Sequence, residues 1–118
     1  MNYVDSFVIP VPIENLAAYK ILAKKSAKLW RKHGALAYNE GVADDVKPGK
    51  RTSFPQSVKL KEGETVVLAW ALFKSRKHRD EVMAKVMADP FMANMKPGDM
   101  PFDGKRMFFG GFKMIVEA

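Results

Sequence analysis

Cysteine is absent from this 118-residue chain. Disulfides, thiolate metal sites and thiol catalysis are therefore excluded, and thiol usage carries no mark of compartment. Histidine occurs twice, as His33 and His78, with no second His or Cys at ligand spacing. A metal or haem centre thus has no support, and no cofactor is expected. Long apolar runs are missing too: no stretch approaches the roughly 20 apolar residues of a membrane span. The leading segment MNYVDSFVIPVP has neither the basic region nor the apolar run of an export signal, so the expectation is a cytoplasmic chain without a membrane partner. No nucleophile elbow, phosphate loop, dinucleotide fingerprint or zincin spacing occurs, which leaves every motif-coded enzyme class unsupported. Acidic residues are the scarcer charge, 13 against 20 Lys and Arg, giving a net +7. Anionic ligands and nucleic acid are therefore partners to test.

Hydrophobic residues make up 47% and charged residues 28% of the chain, the composition of one globular domain over residues 1–118. Tyr3 to Ile9 is rich in β-branched and aromatic residues and closes at Pro10 and Pro12, so it reads as a strand. From Glu14 to His33, Leu16, Tyr19, Leu22, Ala23, Ala27 and Trp30 recur at helical spacing, and Gly34 stands where a left-handed cap ends a helix. The opposite face of that helix carries Lys20, Lys24, Lys25, Lys28, Arg31 and Lys32. Ala35 to Val42 reads as a second strand and Asp44 to Pro55 as loop. Thr65 to Phe73 is apolar on both faces, Val66, Leu68, Trp70 and Leu72 on one and Val67, Ala69, Ala71 and Phe73 on the other, as a doubly covered strand requires. Ser75 is a helix cap followed by the stripe Val82, Met83, Val86, Met87, ending before Pro90. Pro97 to Gly104 reads as loop and Arg106 to Val116 as the last strand.

The resulting order, β-α-β-β-α-β, predicts an α+β ferredoxin-like sandwich: a four-stranded antiparallel sheet with two helices on one face. The segments MNYVDSFVIPVP, WRKHGAL, DDVKPGKRTSFPQSVKLKEGETVV, FKSRKHRDEVMAKVMADP and MPFDGKRMFFGGF together resemble a bacterial family of small proteins of unknown function in the dimeric α+β barrel superfamily. The similarity runs over essentially the whole chain. It implies two ferredoxin-like subunits pressing their sheets together. Relatives in the wider superfamily include cofactor-free monooxygenases, haem-degrading enzymes, chlorite dismutases and muconolactone isomerases, although a shared fold does not transmit chemistry.

Two apolar sheet faces and only two helices leave one face to be covered, and a homodimer is the economical cover. The expectation is that this interface carries Val67, Ala69, Phe73, Met107 and Phe109. Asp5 and Glu40 are carboxylates inside strands, where they are depleted. Either fits a buried general base, and either equally fits a solvated residue paired with a Lys. His78 lies in the first turn of the second helix within Ser75-Arg76-Lys77-His78-Arg79, where amides and cations converge as an anion site or as a solvated helix start. His33 reads as a cap at the end of the first helix. Trp70, Met83 and Met87 are core material that also suits the wall of a pocket between sheet and helices, with Tyr38 beside them.

The functional expectation is a small, anionic or aromatic molecule held in that pocket. Trp70, Tyr38, Met83 and Met87 would line it, Arg79 and His78 would bind an anionic group, and Asp5 or Glu40 would abstract a proton in a monooxygenase- or isomerase-like reaction. The alternatives are a noncatalytic dimeric interaction module, or weak nonspecific RNA binding through the basic first helix. Specific nucleic-acid recognition is not expected, since lysines on one helix give affinity without base readout and the dimer would bury a stacking platform.

Overall fold

In the computed structural model, which describes residues 1–118, β1 (Tyr3–Pro12), α1 (Leu16–Lys32), β2 (Ala37–Val42), α2 (Phe54–Ser57), β3 (Glu64–Phe73), α3 (Arg76–Ala88), α4 (Pro90–Ala93) and β4 (Phe108–Lys113) follow in order. The strands form one antiparallel sheet in the order β2-β3-β1-β4, the ferredoxin-like arrangement read from the sequence. β1 runs three residues past Ile9, through both prolines. Its pairing with β3 continues from Tyr3↔Phe73 to Pro12↔Glu64, whereas β4 pairs only as far as Val8↔Phe108. Pro10 and Pro12 thus lie where β1 has a single neighbour, and their missing N–H groups remove no bond to a fourth strand.

The helix boundaries follow local chemistry. α1 ends at His33, and Gly34, at φ +116°, turns the chain as no side-chain-bearing residue would without strain. Ser75 caps α3, its Oγ accepting the His78 N–H at 3.1 Å. Two short helices lie outside the two expected, α2 at the end of the Asp44 to Pro55 loop and α4 starting at Pro90, before which the second helix ends. Ser53 caps α2 by accepting the Gln56 N–H, and Asp89 caps α4 by accepting the Phe91 N–H; in each case a Pro occupies the first turn, where its missing donor costs nothing.

The helices cover the sheet face bearing Val67, Ala69, Ala71 and Phe73, all at most 2% exposed. Leu29 and Trp30 of α1 and Val82 and Val86 of α3 meet Ala71 and Phe73 there, while Tyr19 joins Ile9, Val11, Val67 and Ala69. This corrects the expected interface: Val67, Ala69 and Phe73 lie beneath the helices, and Met107 and Phe109 share that side. The open face carries Leu68, Trp70, Phe108 and Phe112, each more than a third exposed. The reason is volume. Ala69 and Ala71 are small enough for the Tyr19 and Trp30 rings to reach the sheet, which the Leu68–Trp70–Leu72 side does not permit. At one end of the open face, Val58 and Leu60 pack over Val8 and Val66.

Arg106 pins the segment before β4 to the start of β3. Its guanidinium donates to both Glu64 oxygens at 2.8 and 2.6 Å, to Asp103 at 2.9 Å and to the carbonyls of Val58 and Lys59. The Arg106 bonds to Glu64, foremost, and the Lys61 N–H hold the Glu64 carboxyl below the usual carboxylate range against the opposing effect of burial.

Candidate functional site

A cavity of about 290 Å³ opens between the helices and the covered sheet face. Its walls come from α1 (Tyr19, Leu22, Ala23, Ser26, Trp30), from α3 (Met83, Met87) and from the strands (Phe7, Ile9, Tyr38, Phe109). The chain leading from α3 to β4 closes it with Met92, Met95, Met100, Phe102 and Met107. Six methionines therefore line one space, flexible thioether chains that conform to an irregular occupant. Trp30 and Tyr38 pack with ring centroids 5.3 Å apart, and Tyr19 meets Phe102 edge-on at 5.8 Å.

Glu40 is the only charged group in this lining. Its place on β2 follows from strand alternation, which turns Tyr38 and Glu40 to the helix side and Asn39 and Gly41 to the open side. The Tyr19 hydroxyl donates to Glu40 Oε1 and the Tyr38 hydroxyl to Oε2, the latter at 2.7 Å. Burial pushes both phenols well above their usual range, and Glu40 acts in the same direction through its charge and its hydrogen bonds. The two hydroxyls are thus fixed as donors, and a ligand meets acceptors at the carboxylate. Trp30, 7% exposed, supplies the opposite polarity: its Nε1–H has no protein acceptor. A solvent-facing groove bordered by Lys20, Lys24 and Val42 runs along the other side of Glu40.

Of the residues singled out from the sequence, Tyr38, Glu40, Met83 and Met87 meet in this cavity, and Asp5, Trp70, His78 and Arg79 do not line it. Asp5 is buried and occupied: Arg79 donates to its Oδ1 at 2.9 Å and to the Tyr3 hydroxyl at 3.2 Å, with the guanidinium 5.0 Å from the Tyr3 ring centre. Burial raises the Asp5 carboxyl above its ordinary value while Arg79 opposes the shift. Arg79 is further engaged by Asp80 at 2.9 Å. His78 accepts the Lys74 N–H at Nδ1 and stands edge-on to Phe73, and its own N–H goes to the Ser75 cap. Of the expected anion site, Arg79 and the His78 N–H are thus already engaged by the protein's own groups. Trp70 lies on the other face of the sheet, in a groove with Val46, Phe54 and Leu68. Its partners in register, Ser6 and Asn39, fix that orientation.

Tyr19 and Trp30 were legible as a core stripe but not as cavity wall. No local signal marks Met92 to Met107 as its cover; the concentration of five of the chain's eight Met between residues 83 and 100 is the one available hint.

Comparison with known proteins agrees with this architecture. A family model described as "Protein of unknown function (DUF1428)" matches residues 2–104. The uncharacterized protein YbaA of Escherichia coli K12 is 44% identical over 117 residues, covering 99% of both chains, and YbaA of Shigella flexneri matches equally. Among solved structures, a dimeric ferredoxin-like protein from an uncultured marine organism superposes with a TM-score of 0.61 at 13% identity, covering 100% of both chains. SnoaB, a cofactor-independent oxygenase from Streptomyces nogalater, superposes with a TM-score of 0.59 at 11% identity, over 98% of this chain and 95% of its own. Rv0793 from Mycobacterium tuberculosis gives 0.58 at 11% identity, over 100% and 99%. Likeness at such identities establishes the fold, whereas the family match and the YbaA relatives establish kinship: this chain belongs to the DUF1428 family.

Proposed function

We propose that this protein binds a small, largely apolar molecule in the cavity between its sheet and helices, with Glu40 accepting a hydrogen bond or a proton from it. The observation that carries this reading is a single carboxylate, braced by two tyrosine hydroxyls, at the wall of a 290 Å³ space otherwise lined almost wholly by apolar side chains. An apolar cavity of about 150 Å³ already admits benzene, so a bicyclic ligand fits the volume here. The chemistry open to such a site is proton abstraction by Glu40, the first step of an isomerase- or cofactor-free oxygenase-like reaction. SnoaB, of the same fold, is described as a cofactor-independent oxygenase, which accords with this class without assigning a substrate.

Thermal shift against a library of aromatic and alicyclic compounds tests the proposal. A ligand at a hundred times its dissociation constant adds about 2.7 kcal/mol of stability. The gain should vanish in Ala23→Leu, which fills the cavity from α1. Hits that persist undiminished in that variant, or a library without any hit, would overturn the assignment.

A second reading concerns the open face. Leu68, Trp70, Phe108 and Phe112 form an exposed apolar surface of the kind that marks an interaction site, and a second copy of this chain covers it. Light scattering at micromolar concentration should return twice the chain mass, and Trp70→Arg should halve it. A wild-type monomer at that concentration refutes the pairing.

A further inference from the structure

Resting on the cavity reading above, we infer that the physiological ligand carries an amine, held as an ammonium against Glu40 by the rings of Tyr19, Tyr38 and Trp30. Charge pairing across the molecule supplies the argument. The other carboxylates that enter the packed structure each have a cation: Asp5 has Arg79 at 2.9 Å, Glu64 has Arg106 at 2.6 Å, and Asp89 has His33 at 2.9 Å and Lys32 at 3.3 Å. Glu40 has none. No Lys, Arg or His nitrogen comes within 4.0 Å of it in a chain that holds 20 Lys and Arg. Lys20 and Lys24 border the outer groove beside Glu40 without forming a pair.

The cavity side offers no cation either, since the lining contains no basic residue. Glu40 is half-buried, and a carboxylate partly withdrawn from water gains from a compensating charge; two phenol hydroxyls engage two of its roughly four lone-pair positions without supplying charge. On the cavity side its remaining lone pairs and its charge call for the same thing, a donor that is also a cation.

The walls suit such a group. The rings of Tyr19 and Tyr38 necessarily stand beside the carboxylate that their hydroxyls touch. Trp30 packs against Tyr38 with centroids 5.3 Å apart. A cation within about 6 Å of such ring centres is attracted by their negative faces. The same arrangement repels a carboxylate ligand, which would bring a second negative charge to Glu40 without a basic residue to receive it. Beyond the ammonium, the methionine and phenylalanine walls require an apolar body, and the unpaired Trp30 Nε1–H requires an acceptor on that body.

Three probes of matched shape test this on the wild-type protein: 2-naphthylmethylamine, 2-naphthylmethanol and 2-naphthoate, each titrated by calorimetry at pH 7. The amine should bind at least tenfold more tightly than the alcohol, and the carboxylate should not bind measurably. In Glu40→Gln, which keeps the shape of the side chain, the amine should lose at least tenfold while the alcohol changes less than about threefold. Should that variant fail to fold, the wild-type ranking alone decides. Equal binding of amine and alcohol would overturn the amine inference and leave the cavity reading standing. Tighter binding of the carboxylate would likewise refute the inference. Absence of binding by all three would count against both readings.

Discussion

Replacing Asp5 with Ala removes one partner of a buried ion pair, and the geometry sets the size of the effect. Asp5 is 2% exposed, and its carboxylate receives a single guanidinium at 2.9 Å. Breaking a buried pair from one side generally costs 3–5 kcal/mol, because the remaining charge loses its compensation. Arg79 would retain Asp80 at 2.9 Å and has a fifth of its side chain in solvent, so the lower end applies, about 3 kcal/mol. At an unfolding entropy of about 2.1 cal/mol/K per residue, a chain of this length would lose about 12 °C in Tm. Replacing both partners by apolar residues, Asp5→Val with Arg79→Met, should recover most of that loss, since an apolar substitute for a buried pair is commonly neutral or better. Urea unfolding of the wild type, both single variants and the double variant measures the cycle, with an unchanged m-value certifying comparable unfolding. A cost below about 1 kcal/mol for Asp5→Ala, or a double variant as unstable as the sum of the singles, would refute the reasoning. Titration adds a signature. Burial holds Asp5 above its ordinary value of 3.8, so the folded state keeps this proton to higher pH than the unfolded chain does. The contribution of Asp5 to stability therefore declines as pH rises from 3.8 through the raised value, and the double variant should lack that decline.

Arg106→Met should cost about 2–4 kcal/mol, since it unpairs Glu64 and frees two carbonyls; hydrogen exchange should quicken first between residues 97 and 107. Asp89 is held at about 2 by His33 first, then by the Phe91 N–H and Lys32. A depressed acid stabilises above its ordinary value, so wild type should lose stability as pH falls from 3.8 through about 2, and an acid titration of Asp89→Asn should miss that step. Gly34→Ala should cost about 1–2 kcal/mol in thermal unfolding, because φ +116° is strained for any side chain. Tyr38→Phe should lower affinity for a cavity ligand severalfold while lowering Tm by only about 4 °C, as one hydroxyl bond is worth about 1 kcal/mol.

The elements were readable because their signals are local. Ser75 and Gly34 mark helix ends through their own backbone chemistry, and the continuous apolar, β-branched and aromatic run of residues 65–73 reads as a doubly covered strand. Which face of that strand meets the helices was not readable, since both are apolar; small residues at positions 69 and 71 decided it, and volume complementarity appears only once Tyr19 and Trp30 are in place. The same inversion removed Trp70 from the pocket. Asp5 and Glu40 were legible as unusual residues for a strand, but the pairing of Asp5 with Arg79 spans 74 positions and leaves no trace in spacing. Pro97 to Gly104 reads as loop with no sign of what it covers, and the role of Met92 to Met107 in closing the cavity arises from where Arg106 ties that stretch down.

The two prolines of β1 bear on how copies of this chain can meet. Beyond Val8 the strand has lost β4 as a neighbour, but Ile9, Pro10 and Val11 are buried, so this edge, of a kind that ordinarily invites another chain to add itself through the backbone, is already covered. Pro10 and Pro12 pair with β3 on one side and offer no N–H to the other, so a docking strand would find acceptors without the matching donors. Edge-to-edge growth is discouraged there twice over, by burial and by the missing donors. The broad face with Leu68, Trp70, Phe108 and Phe112 is left as the open apolar surface of the sheet, the one on which the second copy proposed above would sit.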